Sequence, residues 1–228
     1  SNNDLKVIPV FIFDTNITDN LPNDDRRINF IYENISRLNI ELNKKYNSSM
    51  NVFMGNPIEI FKEIIAKYKI INVYTNHDYE PYAIKRDLEL AKILKHNNIN
   101  FLSFKDQVIF EKNEVVKDNG EPYVVYTPYM RKWKSKLTEN LSELNDKKVS
   151  NNFSKNSISK LLGMSDYGFK KNPNKIEAFI LNKDIVSFYS ERRNYPALNS
   201  TSKIGPFLRF GIVLSLIHIS EPTRHLFI

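Results

Sequence analysis

The sequence predicts a doubly wound α/β domain with a parallel sheet, followed by a linker and the start of an all-α domain. Three observations lead there. Short, nearly continuous apolar runs alternate with longer amphipathic stretches through the first hundred residues; a tract rich in Asn, Ser and Lys follows; and three-to-four-residue apolar periodicity returns near Ile176. Strands that alternate with helices of ten or more residues imply crossover connections and parallel pairing.

The run from Val7 to Phe13, ending at Asp14, reads as a strand buried on both faces. Its carboxyl end would aim Asp14 at a ligand crevice. Between Asp24 and Lys45, Ile28, Ile31, Ile35, Leu38 and Leu42 form one apolar stripe, with acids at its head and lysines at its tail. Such end charges complement a helix dipole. Met50 to Met54 predicts a second strand, closed by Gly55, Asn56 and Pro57, before a helix carrying Ile58, Phe61, Ile64, Ile65 and Tyr68. Ile70 to Tyr74 and Ile99 to Phe104 predict two more strands around a helix from Tyr82 to Lys95. One sheet of at least four strands is expected, with Asp14 and the 75 to 80 loop gathered at one carboxyl edge.

Regularity stops near Asp106. Phe110 to Val125 reads as an irregular or hairpin excursion around Asn119 and Gly120. Thr127 as N-cap and Pro128 at the first helical position open a helix through Leu137. The polar tract to about residue 172 has few large apolar residues besides Phe153, Leu161 and Leu162, so little burial is expected of it. From Ile176 to Tyr189 helical periodicity resumes.

The chain has 228 residues, 33 Lys and Arg against 26 Asp and Glu, and no cysteine. The net charge of +7 favours polyanionic partners, although scattered charge is an equally good reading of composition alone. Without cysteine there is no disulfide, thiolate catalysis or thiolate metal site. His77, His96, His218 and His225 lack metal-ligand spacing. With no run of roughly twenty apolar residues and no basic leader, the chain reads as cytosolic. Neither a Walker loop nor a Gly-x-Gly-x-x-Gly motif is present, so the fold alone names no ligand. His77, Asp78 and Glu80 invite an acid/base or metal reading, yet a turn capping the next helix explains them better. Arg86 and Asp87 read as a local ion pair or cap, and Tyr126, Tyr129 and Trp133 as core rather than a base-stacking platform.

The most specific segment is Tyr189 to Gly211, YSERRNYPALNSTSKIGPFLRFG. It resembles the entry to the flavin domain of photolyases and cryptochromes, where Tyr-x-x-x-Arg precedes Thr-Ser-[Arg/Lys]-[Leu/Ile]-[Ser/Gly]-Pro-x-Leu-x-x-Gly. Val10 to Asp14, Asn76 to Asp87 and Gly120 to Trp133 resemble three further stretches of the same family. The resemblance covers residues 5 to about 213 and implies a Rossmann-like N-terminal domain over residues 1–137 lacking its first strand. It further implies a linker over 138–175 and the start of a helical FAD-binding domain over 176–213.

By resemblance, Tyr189, Thr201, Ser202, Lys203, Ile204 and Gly205 contact FAD, with hydroxyls, backbone amides and a helix start on its phosphates. Many members carry Ser where Gly205 stands. A second, antenna chromophore of unknown identity is implied; Tyr82 and Ala83 replace the Asn-Glu pair of the folate type. The implied function is blue-light repair of cyclobutane pyrimidine dimers in damaged duplex DNA by a monomeric, cytoplasmic lyase, with a cryptochrome photoreceptor as the alternative. No catalytic or metal-binding residue is expected within this chain, which the resemblance marks as a fragment inactive by itself. A free-standing nucleotide-binding domain of the universal-stress type would need a Gly-rich phosphate loop. The stretch from Leu214 to Ile228 departs from the family pattern and resembles translated adapter sequence, a non-native tail.

Overall fold

The computed structural model of the chain describes residues 5–106, 108–140, 152–155 and 159–213, without the side chains of 138–140. The tail from Leu214 and most of the polar tract before Asn152 lie outside the described residues. Two compact units divide the rest. One joins the chain up to Lys69 with the returning stretch that ends at Ile212; the other begins at Ile70.

In the first unit, β1 (Val10–Asp14) is built from residues that favour a pleated, half-buried surface. It ends at Asp14, whose Oδ1 accepts from the Asn16 backbone and side chain at 3.0 Å and so caps the short α1 (Thr15–Thr18). The expected ligand-facing Asp14 is therefore a helix cap, 7% exposed. Next comes α2 (Arg26–Tyr46), capped by Asp25 and stopped at Asn47, whose left-handed φ of 51° suits Asn better than most side chains. Helix α3 (Pro57–Lys67) follows β2 (Asn51–Gly55), with Asn56 as N-cap and Pro57 at the first position. The second unit repeats the scheme with β3 (Asn72–Asn76), α4 (Pro81–His96) and β4 (Asn100–Phe104), then α5 (Tyr126–Asn140). Since α5 begins at Tyr126, Thr127 is not its cap. Pro128 is tolerated inside the first turn, where backbone N–H groups have no intrahelical acceptor.

The strands pair as expected in direction but not in number. A parallel ladder joins β1 to β2 from Val10↔Asn51 to Asp14↔Gly55, and another joins β3 to β4 from Asn72↔Asn100 to Asn76↔Phe104. Among the described residues these are two two-stranded sheets, not one of four strands. A single-helix crossover brings consecutive strands side by side, as α2 does for β1 and β2 and α4 for β3 and β4.

The core of the first unit shows why the polar tract is more than a spacer. Phe13, Ile28, Ile35, Leu42, Met50 and Val52 are joined there by Tyr167 (4% exposed) and Phe169 (7%). Both aromatics were expected to lie outside any core. A 3-10 turn, Met164–Tyr167, closed by Gly168 at φ 77°, brings the two rings within 5.2 and 5.5 Å of the Phe13 ring. Two aromatics outweigh a polar average because each buries 150 to 250 Å² as a rule. Phe153 and Leu161 pack at the edge of this cluster, whereas Leu162 is 49% exposed, as is Leu38 of α2 at 43%.

Buried polar groups fix the returning stretch. Asn51, 1% exposed, donates to the Pro9 carbonyl at 3.0 Å and accepts from Ser159 N–H at 2.9 Å; Ser159 Oγ donates to the Val52 carbonyl at 2.6 Å. Asn51→Ala would remove the acceptor of the Ser159 N–H, while the Pro9 carbonyl keeps the Asn51 backbone N–H at 2.9 Å. Urea denaturation is expected to show a loss of about 1–3 kcal/mol, the cost of one orphaned buried group; a loss under half a kcal/mol would show that the stretch is not held there.

Candidate functional site

Residues 176–182, expected to be helical, form neither helix nor strand. Asn182 Oδ1 accepts from Ile185 N–H at 2.9 Å and starts the helix only at α6 (Lys183–Ser187), followed by α7 (Tyr189–Arg192). Before it, Ile180 N–H donates to the Ser202 carbonyl at 2.9 Å, so the chain is pinned beside the 201–205 loop instead of coiling. After that loop comes α8 (Gly205–Arg209).

An aromatic cluster seats this loop. Phe207, 6% exposed, packs edge-on against Phe30 of α2 at 5.0 Å and against Phe179 at 4.9 Å. On the other side, buried Ser200 donates from Oγ to the Arg192 carbonyl at 3.0 Å. Five residues are thus held at both ends while their middle faces solvent. Thr201 and Ser202 make no side-chain hydrogen bond among the described residues. Lys203 sits at φ 56°, a left-handed conformation that bulky residues rarely adopt. Its ammonium pairs with Glu177, and hydrogen bonding to Lys203 holds the Glu177 carboxyl below its ordinary value.

Two hydroxyls and an ammonium in three consecutive positions form a donor set suited to phosphate oxygens. The helix behind them contributes less than expected. It has only five residues, and Pro206 removes one N–H from its first turn. Gly205 is exposed, and a Cβ there would meet nothing within 4 Å. Gly205→Ser is accordingly expected to be accepted, and to raise thermal stability slightly, by no more than about 1 kcal/mol, by stiffening the first turn. A measured drop in melting temperature would contradict that. Tyr189 opens α7 at 47% exposure, with the Arg193 guanidinium 5.6 Å from its ring centre. A cavity of about 280 Å³ lies between Ile180, Asn182, Phe188, Arg192 and Asn199, beside but not including the residues read from sequence.

The second unit carries a different cluster at the carboxyl ends of β3 and β4. His77 Nδ1 lies 2.5 Å from Glu111 Oε1, its Nε2 3.1 Å from Ser103 Oγ, and Tyr79 OH donates to the same Glu111 oxygen at 2.8 Å. Glu111 N–H donates to Glu114 Oε2 at 2.5 Å, and Lys105 pairs with Glu114. Hydrogen bonds from His77, then Tyr79, hold the Glu111 carboxyl below its ordinary 4.5. Burial foremost, and then Glu111, push the Tyr79 phenol up to about 12. A depressed carboxylate stabilises the fold above its unfolded value, and that contribution disappears as pH falls through the folded value. Melting temperatures of the parent and Glu111→Gln are therefore expected to differ by a constant amount above about pH 4.5 and to converge below it; a gap that persists in acid would refute the assignment.

Nearby, Asp78 Oδ1 accepts from Glu80 N–H at 3.0 Å, a turn as expected, but Glu80 at the N-cap of α4 makes no side-chain cap bond; Arg86 pairs with Asp87 at 2.8 Å. Tyr126 and Tyr129, expected in a core, are 72% and 36% exposed. Trp133 meets Phe110 edge-on at 5.6 Å. Neither Ser103 nor Glu111 stood out in the sequence, since they lie 26 and 34 residues from His77. Only the parallel register at Thr75↔Ser103 places the serine beside the histidine.

The sequence profile of the DNA photolyase family matches residues 1–147. The chain belongs to the DNA photolyase family. Deoxyribodipyrimidine photo-lyase of Synechococcus sp. is 26% identical over 192 residues, 76% of this chain and 40% of that protein. The protein of that name from Buchnera aphidicola is 26% identical over 233 residues, 92% of this chain and 46% of its own length. The chain spans less than half the length of these two photolyases. A bacterial class III photolyase from Agrobacterium tumefaciens superposes with a TM-score of 0.73 at 19% identity, over 97% of this chain and 48% of that one. An archaeal photolyase from Sulfolobus tokodaii, solved with two FAD molecules, gives 0.62 at 22%, over 97% and 50%. At such identities the likeness shows the fold, the Rossmann-like photolyase architecture read from sequence.

Proposed function

We propose that the protein containing this chain is a blue-light-driven deoxyribodipyrimidine photo-lyase, and that Thr201, Ser202 and Lys203, with Tyr189, Ile204 and Gly205 around them, bind the diphosphate side of FAD. The observation that carries the reading is the family match, joined to a solvent-facing loop whose hydroxyls and ammonium are a phosphate-binding set. FAD bound there supplies the light-driven electron that splits a cyclobutane pyrimidine dimer. The hydroxyls of Thr201 and Ser202 donate to phosphate oxygens. Lys203, paired with Glu177, would add its positive charge to the phosphate side, with Phe207 and Ser200 fixing the ends of the loop.

Damaged DNA is the proposed partner, its lesion base flipped out of the stack. Supporting this, residues 148–212 hold eleven Lys and Arg against four Asp and Glu, which accounts for the whole net charge of +7. Charge concentrated in one stretch attracts phosphates more effectively than the same charge scattered. We further read the protein as a cytoplasmic monomer carrying a second, antenna chromophore of unassigned kind; no helix among the described residues is long and apolar enough to cross a membrane.

Two measurements test the proposal. FAD fluorescence quenching by the purified chain is expected to saturate weakly, with the flavin lost on gel filtration, and Thr201→Ala with Ser202→Ala is expected to weaken it by about a hundredfold or more, two hydrogen bonds to a charged acceptor at about 1.5–3 kcal/mol each. Unchanged affinity would remove the site. Residues 1–213 joined to the part of the Synechococcus photolyase beyond its match should repair dimers in light and not in darkness; a hybrid that binds FAD without repair would remove the activity but leave the site.

A further inference from the structure

We propose that Ser103, His77 and Glu111 form a nucleophilic triad that takes acyl groups from small activated esters, an activity separate from light-driven repair. The geometry is that of a nucleophile, a base and an orienting acid in one hydrogen-bonded line. Ser103 Oγ is 3.1 Å from His77 Nε2, and His77 Nδ1 is 2.5 Å from Glu111 Oε1. With the neutral imidazole protonated at Nδ1, Glu111 accepts that proton's hydrogen bond and leaves Nε2 as the acceptor for the serine O–H. Roles and distances, not chain order or fold, define such a constellation.

The surroundings hold the acid and the base in place. Tyr79 OH donates to the Glu111 oxygen that faces His77, at 2.8 Å, and the Glu111 backbone donates to Glu114. His77 N–H donates to the Phe104 carbonyl at 2.7 Å, tying the base to β4 next to the serine. The charged groups close by are Glu111 and Glu114 from the excursion, Lys105 after β4, and Asp78 beside the histidine; Lys105 is engaged by Glu114. The site occupies the carboxyl end of a parallel strand pair, where open α/β folds place their ligands.

Ser103 is exposed, so the group that reaches it is a small ester and not an enclosed substrate. In the first half-reaction Oγ bonds to the ester carbonyl carbon while its proton passes to His77 Nε2; the carbon–oxygen bond to the leaving group breaks, and that alcohol takes the proton from His77. Water then adds to the acyl carbon, the Oγ–carbon bond breaks, and the serine regains its proton. Only water and the ester are consumed. Activated aryl esters are the class expected, because a good leaving group needs little help from the protein in expelling it.

Two readouts on the intact chain test this. A fluorophosphonate probe should label Ser103, identified by peptide mass spectrometry. Protein-dependent hydrolysis of p-nitrophenyl acetate should fall about a hundredfold in His77→Gln, the ordinary contribution of a positioned base, and to the buffer rate in Ser103→Ala. Because Ser103 is exposed, Ser103→Ala should retain the parent's circular dichroism, which keeps the comparison valid. Glu111→Gln should retain labelling at a lower rate. Probe found only at other residues, or a Ser103→Ala rate equal to the parent's, would overturn the proposal, and neither result depends on flavin or DNA binding.

Discussion

Phe13→Ala is expected to lower the unfolding free energy of the first unit by about 3–5 kcal/mol, the range for removing a buried phenylalanine. Phe13 is 2% exposed and sits where three rings converge: Phe11 at 5.1 Å, Tyr167 at 5.2 Å and Phe169 at 5.5 Å. Truncation removes the transfer free energy of the ring and opens a cavity that β1, hydrogen-bonded along its length to β2, has little freedom to fill. A typical domain is stable by only about 5–15 kcal/mol, so a change of this size exposes much of the population to unfolding. Urea denaturation followed by near-ultraviolet circular dichroism measures it. The informative companion is Tyr167→Ala, because the two rings touch. Their double-mutant cycle should give a coupling of about 0.5–1.5 kcal/mol beyond additivity. A coupling indistinguishable from zero would mean that the returning stretch merely drapes over β1 and is not part of its core.

Lys203→Glu is expected to weaken FAD binding by about 10- to 100-fold. A hydrogen bond to a charged group is worth about 1.5–3 kcal/mol and 1.4 kcal/mol is tenfold in affinity, before any repulsion between the new carboxylate and phosphate. The substitution also faces Glu177, so two carboxylates would meet where an ion pair now stands. Lys203→Gly separates charge from conformation. At φ 56° glycine is relaxed where lysine is strained. The glycine variant should therefore lose affinity by about tenfold while its melting temperature holds or rises. If Lys203→Glu and Lys203→Gly both bind FAD as the parent does, Lys203 is a surface cation and the phosphate-binding reading of the loop fails.

The helices were legible because their signals are local. The stripe Ile28, Ile35 and Leu42 with acidic head and basic tail names α2 from sequence alone, and Asn56 followed by Pro57 names the start of α3. Parallel pairing also followed, since strands separated by helices have little other choice. The loop from Thr201 to Gly205 was found through its resemblance to a family, and the donor chemistry of its side chains is a local property that folding only had to expose.

What sequence could not settle depends on residues far apart in the chain. Tyr167 and Phe169 stand in a polar tract whose composition argues for a solvated linker, yet they fill the space against Phe13 more than 150 positions earlier. The run before Asn182 has helical periodicity, but it forms no helix, and the Ile180 N–H is bonded to the Ser202 carbonyl. Asp14 was read as facing a ligand and instead caps α1. Ser103, His77 and Glu111 have no common spacing at all, and they meet because β3 and β4 pair in register and the excursion after β4 folds back over them. Propensity, patterning and capping act over a few residues and are written where they act; burial and long-range hydrogen bonding are decided by whichever distant groups the fold brings into contact.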